Sequence, residues 1–447
     1  MPGNYFSLVC QLLLIFCLFK SIHCTVKREQ VLHNVFNKYL DRNELRENFG
    51  RIRNFPPRTY GSEGTRWSAD GVDVFRAIWN VPNGCQERHG IEIPLNDYGI
   101  EFNKNHSWWT GDVISQFDAQ MIGYYPHVTK DGTFVNGGIP QLGNITAHLQ
   151  KVADDILTAI SDPDYAGLAM IDWEAWYPQW NSIEQRYRTY STDHVSRQHP
   201  EWDKDTVNTV AALEWTEGAK LFMESTLQLA KLLRPKALWG YYHYPYCTVL
   251  ANSTQCHPLQ PKLNDEILWL FNESTIMYPS IYLIPEHVAD FESSVKGRLA
   301  EAFRIREKSS DPKGAVMSYT RFNYTSTHYY FTLEDLNHTI LTSAEFGTHG
   351  IVFWGDNYDD GTLQTCQELR DYIINALGPV VVMAREGAGS CSNRVCSGQG
   401  RCVGEILTCG KGDHRQKRKT IEVKDGVCTC RCFVGWEGYD CSTSVKY

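Results

Sequence analysis

Two carboxylates, Asp172 and Glu174, stand two residues apart where a short apolar segment ends. The segment Leu168 to Ile171 follows Gly167, and Pro178 limits it further on; this length and these flanks favour a buried strand over a helix. Side chains two apart in a strand share a face, roughly 7 Å apart at the backbone. Their repulsion would raise the pKa of one carboxyl, leaving a neutral acid beside a charged partner. The pair therefore suits acid–base chemistry, with a solvated pair at a strand end as the alternative.

Three tryptophans accompany the carboxylates: Trp173, Trp176 and Trp180. Their flat apolar rings would suit a groove that binds the faces of sugar rings.

Strand-like and helix-like segments alternate through the middle of the chain. Strand patterns occur at residues 75–82, 168–172, 238–247, 277–283, 315–321 and 350–354. Helical spacing of apolar residues occurs at 148–160, 205–234, 295–307, 333–346 and 365–376. This alternation predicts an α/β fold in which a parallel sheet closes into a (β/α) barrel.

The working residues of such barrels lie at the C-terminal ends of the strands. Asp172, Glu174, Tyr242, Tyr282 and Trp354 all fall at or near such ends. This shared placement is the strongest reason, from the residues alone, to expect a single active site.

The two ends of the chain differ from its middle. Residues 1–24 contain an apolar core of signal-peptide length, and 25–72 form a polar N-terminal extension to which no chemistry is assigned. We expect the catalytic barrel at 73–380. Residues 391–441 form a small module with eight cysteines and too few apolar residues to fold without disulfides. The apolar core is too short for a membrane span, and the protein is expected to be secreted and extracellular.

Cysteines and glycosylation sequons agree with export. Three of the 15 cysteines lie in the signal region, and the remaining 12, an even number, imply disulfides. Six Asn-x-Ser/Thr sequons predict glycosylated surface loops, and they begin at Asn105, Asn144, Asn252, Asn272, Asn323 and Asn337.

The formal net charge of −9 argues against a general nucleic-acid binder, although a local basic groove for a polyanionic sugar is compatible with it. The sequence contains no phosphate-binding glycine loop and no clustered metal-ligand motif, so we expect neither cofactor nor metal.

Several separate motifs resemble those of the hyaluronidases, the endo-acting glycoside hydrolases of animal tissues and venoms. They occur in the same order: Asp-Trp-Glu-Ala-Trp at 172–176, Trp-Gly-Tyr-Tyr at 239–242, Tyr-Pro-Ser-Ile-Tyr at 278–282 and Phe-Trp-Gly at 353–355. The resemblance covers residues 75–379, including the turn at 136–144, and the terminal module is similar to the EGF-like domain of many members. It implies a distorted barrel of about seven β/α units, a variant of the eight-unit form.

The resemblance also implies a retaining, substrate-assisted mechanism. Glu174 would protonate the leaving oxygen and then activate water. Asp172 would orient the acetamido group of N-acetylglucosamine, whose carbonyl oxygen attacks the anomeric carbon. Tyr242 and Tyr282 would form hydrogen bonds near that group, and Trp354 would wall its pocket.

Three positions bear on how the sugar is bound. Arg321 is a candidate to meet a uronate carboxylate, with a structural ion pair as the alternative. Tyr177 stands where the family usually has arginine after the second tryptophan, and Asp118 where a groove tyrosine is common. The added carboxylate could raise the pKa of Glu174 or weaken the binding of an anionic chain.

The resemblance further implies disulfide pairs. These are Cys85–Cys366, Cys247–Cys256, Cys391–Cys402, Cys396–Cys430 and Cys432–Cys441. Cys409 and Cys428 remain and are left to pair with each other. Between them, the basic segment 415–419 fits a processing site, a solvated basic loop or a tether for a polyanion.

The leading interpretation is a secreted, monomeric hydrolase that cleaves β-1,4 bonds after N-acetylglucosamine in hyaluronan. Chondroitin is the chief rival substrate, because it differs at one sugar hydroxyl and in sulfation. From another class, the chain could be a non-catalytic glycosaminoglycan-binding protein with an adhesive EGF-like module. Asp172 and Glu174 together argue against that alternative, whereas Tyr177 and Asp118 keep it open.

Overall fold

The computed structural model describes residues 74–82, 84–104, 109–249, 253–285, 290–325, 327, 329–355, 361–409, 422–423 and 426–445. The signal segment, the N-terminal extension, Asn105, Asn252 and the basic segment at 415–419 lie outside these residues. The chain divides into two compact units. The smaller contains residues 118–163 and 173–235, and the larger contains 74–117, 164–172 and the residues from 236 onward.

The strands, in chain order, are β1 (Arg76–Asn80), β2 (Ile100–Phe102), β3 (Ile114–Asp118), β4 (His127–Val128), β5 (Phe134–Val135), β6 (Leu168–Asp172), β7 (Leu238–Tyr241), β8 (Ile276–Met277), β9 (Ala315–Arg321), β10 (Gly350–Trp354), β11 (Gly400–Val403), β12 (Glu422–Val423), β13 (Gly426–Val427), β14 (Thr429–Cys432), β15 (Trp436–Glu437) and β16 (Thr443–Ser444). The α-helices are Gly84–His89, Ile145–Ala159, Gln185–Gln198, Lys204–Leu233, Gln260–Glu266, Leu268–Glu273, Phe291–Lys308, Leu333–Leu336, Thr342–Glu345, Leu363–Tyr372 and Gly378–Val395. Two π-helical turns, Asn337–Leu341 and Ile373–Leu377, continue the helices that precede them.

Parallel strands of the larger unit form the predicted barrel. Around it, among the described residues, the strands follow the order β1, β2, β3, β6, β7, β8, β9 and β10. An isolated parallel bridge between Tyr242 and Tyr278 joins the ends of β7 and β8. The strand order confirms the α/β barrel expected from the alternation of strands and helices.

The side chain of Asn103 links the end of β2 to the start of β3. Asn103, directly after β2, accepts the N–H groups of Val113 and Ile114 at Oδ1, both at 3.0 Å. Its Nδ2 donates to the carbonyl oxygen of Ile114 at 2.8 Å. The side-chain amide of Asn103 therefore forms hydrogen bonds of the kind that the backbone of a neighbouring strand would form.

The interior of the barrel is apolar below the strand ends. Buried side chains from six strands meet there: Ile78, Ile114, Leu168, Met170, Ile276, Met317 and Val352. Gly240 of β7 lies so close to β8 that a Cβ atom would be 2.3 Å from the carbonyl oxygen of Ile276. This close approach explains the glycine in the Trp-Gly-Tyr-Tyr motif.

The smaller unit contains the β4–β5 hairpin and the helices Ile145–Ala159, Gln185–Gln198 and Lys204–Leu233. Asn144 caps the first helix by accepting the N–H of Ala147, and Asp203 caps the last by accepting that of Thr206. The two helices predicted at 148–160 and 205–234 are thus confirmed. They begin earlier than predicted, at Ile145 and Lys204, directly after the capping residues.

Two predicted strands are wrong in length. The strand expected at 238–247 ends at Tyr241, because His243 has a φ of 74°, which extended backbone does not allow. The strand expected at 277–283 is reduced to Ile276–Met277, followed by single bridges at Tyr278 and Ser280. Tyr242 and Tyr282 nevertheless lie at the C-terminal end of the barrel, because each follows its strand in the chain.

The helix predicted at 365–376 begins at Leu363 and continues through Ile373–Leu377 into Gly378–Val395. It therefore runs through the interval between the expected barrel, 73–380, and the expected module, 391–441. The division at these boundaries stays a prediction.

The described residues contain six disulfides, and they join the pairs expected above: Cys85–Cys366, Cys247–Cys256, Cys391–Cys402, Cys396–Cys430, Cys409–Cys428 and Cys432–Cys441. The C-terminal segment packs against the barrel of the same unit. Buried Arg401 donates from Nε to the carbonyl oxygen of Val74 at 3.0 Å. Arg431 lies 3.9 Å from the ring centre of Phe303.

The sequons within the described residues differ in accessibility. Asn144 and Asn272 are exposed, as a glycan acceptor requires, and Asn337 is half-buried in a π-helical turn. Asn323 departs from the surface loop expected for it: it is 6 % exposed, and its Nδ2 donates to the carbonyl oxygen of Thr327 at 3.1 Å. Glycosylation at Asn144, Asn272 and Asn337 stays a prediction. In the described ranges, no helix is long and apolar enough to cross a membrane.

The role of Asn103 can be tested by Asn103→Ala. The substitution removes three hydrogen bonds between Asn103 and the start of β3, and we expect the free energy of unfolding to fall by about 2 to 4 kcal/mol. Denaturant unfolding of the secreted protein measures this change. Asn96→Ala, at an exposed asparagine of the same unit, is the matched control. An equal, small loss of stability in both variants would contradict a link between β2 and β3 that depends on Asn103.

Candidate active site

Asp172 ends β6 at the C-terminal end of the barrel and accepts a hydrogen bond from an amide. Nε2 of Gln116, on β3, donates to Oδ2 of Asp172 at 3.0 Å. Nδ2 of Asn80, which ends β1, donates to Oε1 of Gln116 at 2.6 Å. Tyr319 of β9 also donates to this oxygen, at 3.2 Å. Four strands of the barrel, β1, β3, β6 and β9, therefore contribute to one hydrogen-bonded network around a carboxylate.

Tyr242 and Tyr282 lie at the same end of the larger unit. The backbone N–H of Tyr242 donates to the carbonyl oxygen of Ile171 at 2.9 Å, next to Asp172. The rings of Tyr242 and Tyr319 meet edge to face with centroids 5.1 Å apart, and the rings of Tyr242 and Tyr282 are 6.2 Å apart. Burial raises the pKa of Tyr282 well above its usual range, so its hydroxyl stays protonated and able to donate.

Trp354 and Arg321 extend this row of side chains. Trp354 ends β10 and stacks on Tyr282, with ring centroids 6.4 Å apart and an angle of 11° between the rings. The guanidinium of Arg321, which ends β9, lies 4.6 Å from the ring centre of Trp354. Its Nε donates to Oδ1 of Asn323 at 3.3 Å. The larger unit therefore brings together Asp172, Tyr242, Tyr282, Trp354 and Arg321, as the sequence predicts.

Arg298 anchors the segment that carries Tyr282. It projects from the helix Phe291–Lys308, and its Nη1 donates to the carbonyl oxygens of Ser280 at 3.2 Å and Tyr282 at 3.1 Å. The hydroxyl groups of Tyr242 and Ser280 are 3.5 Å apart. One guanidinium thus fixes the backbone on both sides of Ile281.

Glu174 belongs to the smaller unit and lies two residues beyond Asp172 in the chain. More than a third of the residue is accessible to solvent, yet nearby protein atoms displace enough water to raise the pKa of its carboxyl above the usual value. The residues beside it are anchored. The ring of Trp173 stacks on Tyr125 at 4.5 Å, and Nε1 of Trp176 donates to the carbonyl oxygen of Pro126 at 2.6 Å.

The expectation that the tryptophans line a sugar-binding groove is wrong for Trp173 and Trp176. Each is only 4 % exposed, because its ring packs inside the aromatic core of the smaller unit. Trp173 also meets His148, and Trp176 and Trp180 each contact Trp215 edge-on. The rings of Trp173 and Trp176 hold the chain on both sides of Glu174 and are not available as a binding surface.

Both departures from the family pattern form local hydrogen bonds, Asp118 through its side chain and Tyr177 through its backbone. Asp118 accepts the N–H groups of Gln120 at 2.7 Å and Met121 at 3.1 Å, and so caps the turn after β3. The raised pKa of Glu174 follows from lost hydration and does not require the charge of Asp118. Tyr177 accepts the indole N–H of Trp215 at its carbonyl oxygen, at 3.1 Å.

Sequence reasoning missed Asn80, Gln116, Tyr319 and Arg298. The first three lie on strands at the end where working residues collect, and this placement is the signal that could have found them. Arg298 lies in a helix, and nothing in its sequence context distinguishes it from other helix cations. In the part of the chain that the structure describes, no cluster of His, Cys, Asp or Glu could hold a metal ion.

Comparison with known proteins agrees with this geometry. Residues 69–445 match the family model described as hyaluronidase. The chain is 34 % identical to hyaluronidase-1 of Homo sapiens over 404 residues, covering 82 % of this chain and 92 % of that protein. It is 34 % identical to hyaluronidase-3 of Rattus norvegicus over 386 residues, again covering 82 % and 92 %.

A solved structure is similar as well. Bee venom hyaluronidase in complex with a hyaluronic acid tetramer is 33 % identical, with a TM-score of 0.64, and the match covers 69 % of this chain and 98 % of that one. The chain belongs to the hyaluronidase family of glycoside hydrolases.

The anchoring role of Arg298 predicts that Arg298→Met lowers catalytic efficiency by about 10- to 100-fold, because a small displacement of reacting groups is costly. Steady-state kinetics with hyaluronan measure kcat/KM for the wild type and the variant. Lys296→Met is the matched control, since Lys296 lies on the same helix and pairs with Glu292 at its surface. Equal activity in the two variants would contradict the anchoring role.

Proposed function

We propose that this chain is an endo-acting hyaluronidase that hydrolyses β-1,4 N-acetylhexosaminidic bonds in hyaluronan with retention of configuration. The observation that carries the proposal is the different setting of two carboxylates in one strand-end sequence. Asp172 accepts a hydrogen bond from a neutral amide, and Glu174 has a pKa raised by lost hydration. Family membership and the hyaluronic acid tetramer bound to a 33 % identical relative support hyaluronan as the substrate.

Glu174 acts first as the general acid. It transfers its proton to the glycosidic oxygen while the bond from that oxygen to the anomeric carbon breaks. Its raised pKa keeps the carboxyl protonated to higher pH than an ordinary glutamate, and this acid form is lost as the pH rises through that pKa. In the second step the carboxylate accepts a proton from the water that attacks the anomeric carbon, while the bond from the acetamido oxygen to that carbon breaks.

Asp172 assists the internal nucleophile. The carbonyl oxygen of the substrate acetamido group forms a bond to the anomeric carbon from the face opposite the leaving group, and positive charge develops on the acetamido group. A carboxylate that accepts the acetamido N–H stabilises this charge and orients the carbonyl oxygen. Inversion in each of the two steps gives net retention.

The remaining predicted site residues bind the sugar. Tyr242 and Tyr282 donate hydroxyl groups near the acetamido group, and Trp354 forms an apolar wall for its methyl group. Arg321, held over Trp354 and bonded to Asn323, offers a cation to a uronate carboxylate. Chondroitin presents the same carboxylate and linkage, which makes it the second candidate substrate.

We also propose that the protein is secreted and acts as a monomer. The six intramolecular disulfides support an oxidising, extracellular environment. They use every cysteine outside the signal segment, so none remains for a disulfide to a second copy.

The decisive experiment compares product release from hyaluronan and from chondroitin by the secreted wild-type protein and by Glu174→Gln. We expect cleavage of hyaluronan by the wild type and a loss of about 100- to 10,000-fold in the variant, which lacks the proton to transfer. The relative rates on the two polymers rank the substrates. Binding of hyaluronan without cleavage by the wild type would identify a non-catalytic glycosaminoglycan-binding protein instead.

The role of Arg321 predicts a change in substrate binding. Arg321→Gln should raise KM for hyaluronan about ten-fold at low ionic strength, because one charged hydrogen bond is lost. Added salt should narrow the difference from the wild type. Lys308→Gln, which removes an exposed cation that pairs with Asp265, is the charge-matched control. A salt-independent effect would favour a structural role for Arg321.

A further inference from the structure

The network behind Asp172 is a chain of buried, uncharged groups. Asn80 and Tyr319 are each 1 % exposed and Gln116 is 6 % exposed. Besides its bond to Gln116, Nδ2 of Asn80 donates to the hydroxyl oxygen of Tyr319 at 2.8 Å. Gln116 is thus held from one side by two partners, and the other side of its amide faces Asp172.

The donors in this network fix the orientation of the Gln116 amide. Its oxygen receives hydrogen bonds from Asn80 and Tyr319, and only an acceptor can occupy that position. Its nitrogen is consequently directed at Oδ2 of Asp172, where it donates. Turning the amide around would set its oxygen against the carboxylate and its nitrogen against Asn80 Nδ2, losing the bonds at both ends.

A fixed neutral donor has two effects on a carboxylate. It holds the carboxylate plane in one orientation, and it stabilises the ionised form more than the neutral form. Both effects serve a group that must accept the acetamido N–H while positive charge develops beside it.

We propose that Gln116 is a positioning residue of the catalytic reaction, which keeps Asp172 ionised and oriented toward the substrate acetamido group through an amide that Asn80 and Tyr319 hold in place. The inference rests on the proposed role of Asp172. It adds a residue on another strand, β3, that supports Asp172 in that role. Gln116 touches no reacting atom and acts through Asp172.

Several titratable groups on the elements around Asp172 stay uncharged near neutral pH. Tyr319 of β9 and Tyr278 after β8 have pKa values raised well above the usual range by burial, so both stay neutral. Tyr242 follows β7, and His243 beyond it has a pKa lowered by burial to about 4, so it is uncharged near neutral pH. Along the chain, Glu174 follows Asp172 by two residues, Asp118 follows Gln116 by two, and Arg321 follows Tyr319 by two.

The test measures kcat, KM and their pH dependence on hyaluronan for the full secreted protein and for Gln116→Met, which keeps the length of the side chain and removes the donor. We expect kcat to fall roughly 10- to 100-fold with KM little changed. Loss of the donor favours protonation of Asp172, so the acid limb of the kcat profile should move to higher pH by about one unit. A purely structural role would lower activity without moving that limb.

Gln141→Met is the matched control, because Gln141 belongs to the smaller unit and donates to Ser191 at 2.9 Å. It should keep the wild-type pH profile. Gln116→Glu provides a second variant of the same shape, in which an acceptor replaces the donor. It should move the acid limb further, since two adjacent carboxylates share a proton. This variant decides the question if Gln116→Met fails to fold.

Combining Gln116→Met with Asp172→Asn separates the possible failures. If Gln116 acts through Asp172, the double variant should be no slower than Asp172→Asn alone. Additive losses, or an unmoved acid limb in both Gln116 variants, would overturn the inference while leaving the hyaluronidase activity intact. Absence of cleavage by the wild type would instead overturn the proposed function on which the inference rests.

Discussion

A carboxylate at the end of a buried strand loses part of its hydration, and the surrounding protein has to supply what water would have given. For Asp172 a neutral amide on β3 donates one hydrogen bond, and neutral groups on β1 and β9 hold that amide in turn. Their meeting depends on register, because a slip by one residue in any strand turns its side chains to the other face. Asn80 pairs with Trp354, and Trp354 with Arg321, so the same register also aligns the aromatic wall and its cation. The site therefore exists only in a barrel that is closed and correctly paired.

The chain gives its two carboxylates different surroundings over a distance of two residues. Asp172 belongs to the larger unit and is bonded to an amide, whereas Glu174 belongs to the smaller unit and owes its raised pKa to lost hydration alone. Trp173, between them, is locked by stacking on Tyr125. In the proposed function, these surroundings suit Glu174 to donate a proton and Asp172 to accept a hydrogen bond.

Much of this arrangement could be predicted from the sequence, because it rests on periodicity. The alternation of strands and helices defines the barrel, and the rule that working residues follow strands selects Asp172, Tyr242, Tyr282 and Trp354. Trp173 and Trp176 were assigned to a groove wrongly, since a large aromatic side chain has the same sequence signature in a core as on a sugar-binding surface. Arg298 was missed because its role depends on which carbonyl groups its helix meets. Strand lengths after Tyr241 and Met277 were overestimated, since single bridges and a left-handed residue interrupt an apolar run without changing its composition.

The pairing of β1 with β10 has a consequence for the order in which the protein can fold. Arg76 lies opposite Gly350, and the disulfide Cys85–Cys366 spans 281 residues of sequence. On the ribosome, β1 and its neighbour β2 emerge long before β10, so one edge of the first barrel strand stays unpaired until the last strand is made. Contacts of such long range slow folding and expose unpaired strand edges meanwhile. Closure of the barrel therefore comes late in synthesis, because β10 must be made before β1 can be paired on both sides.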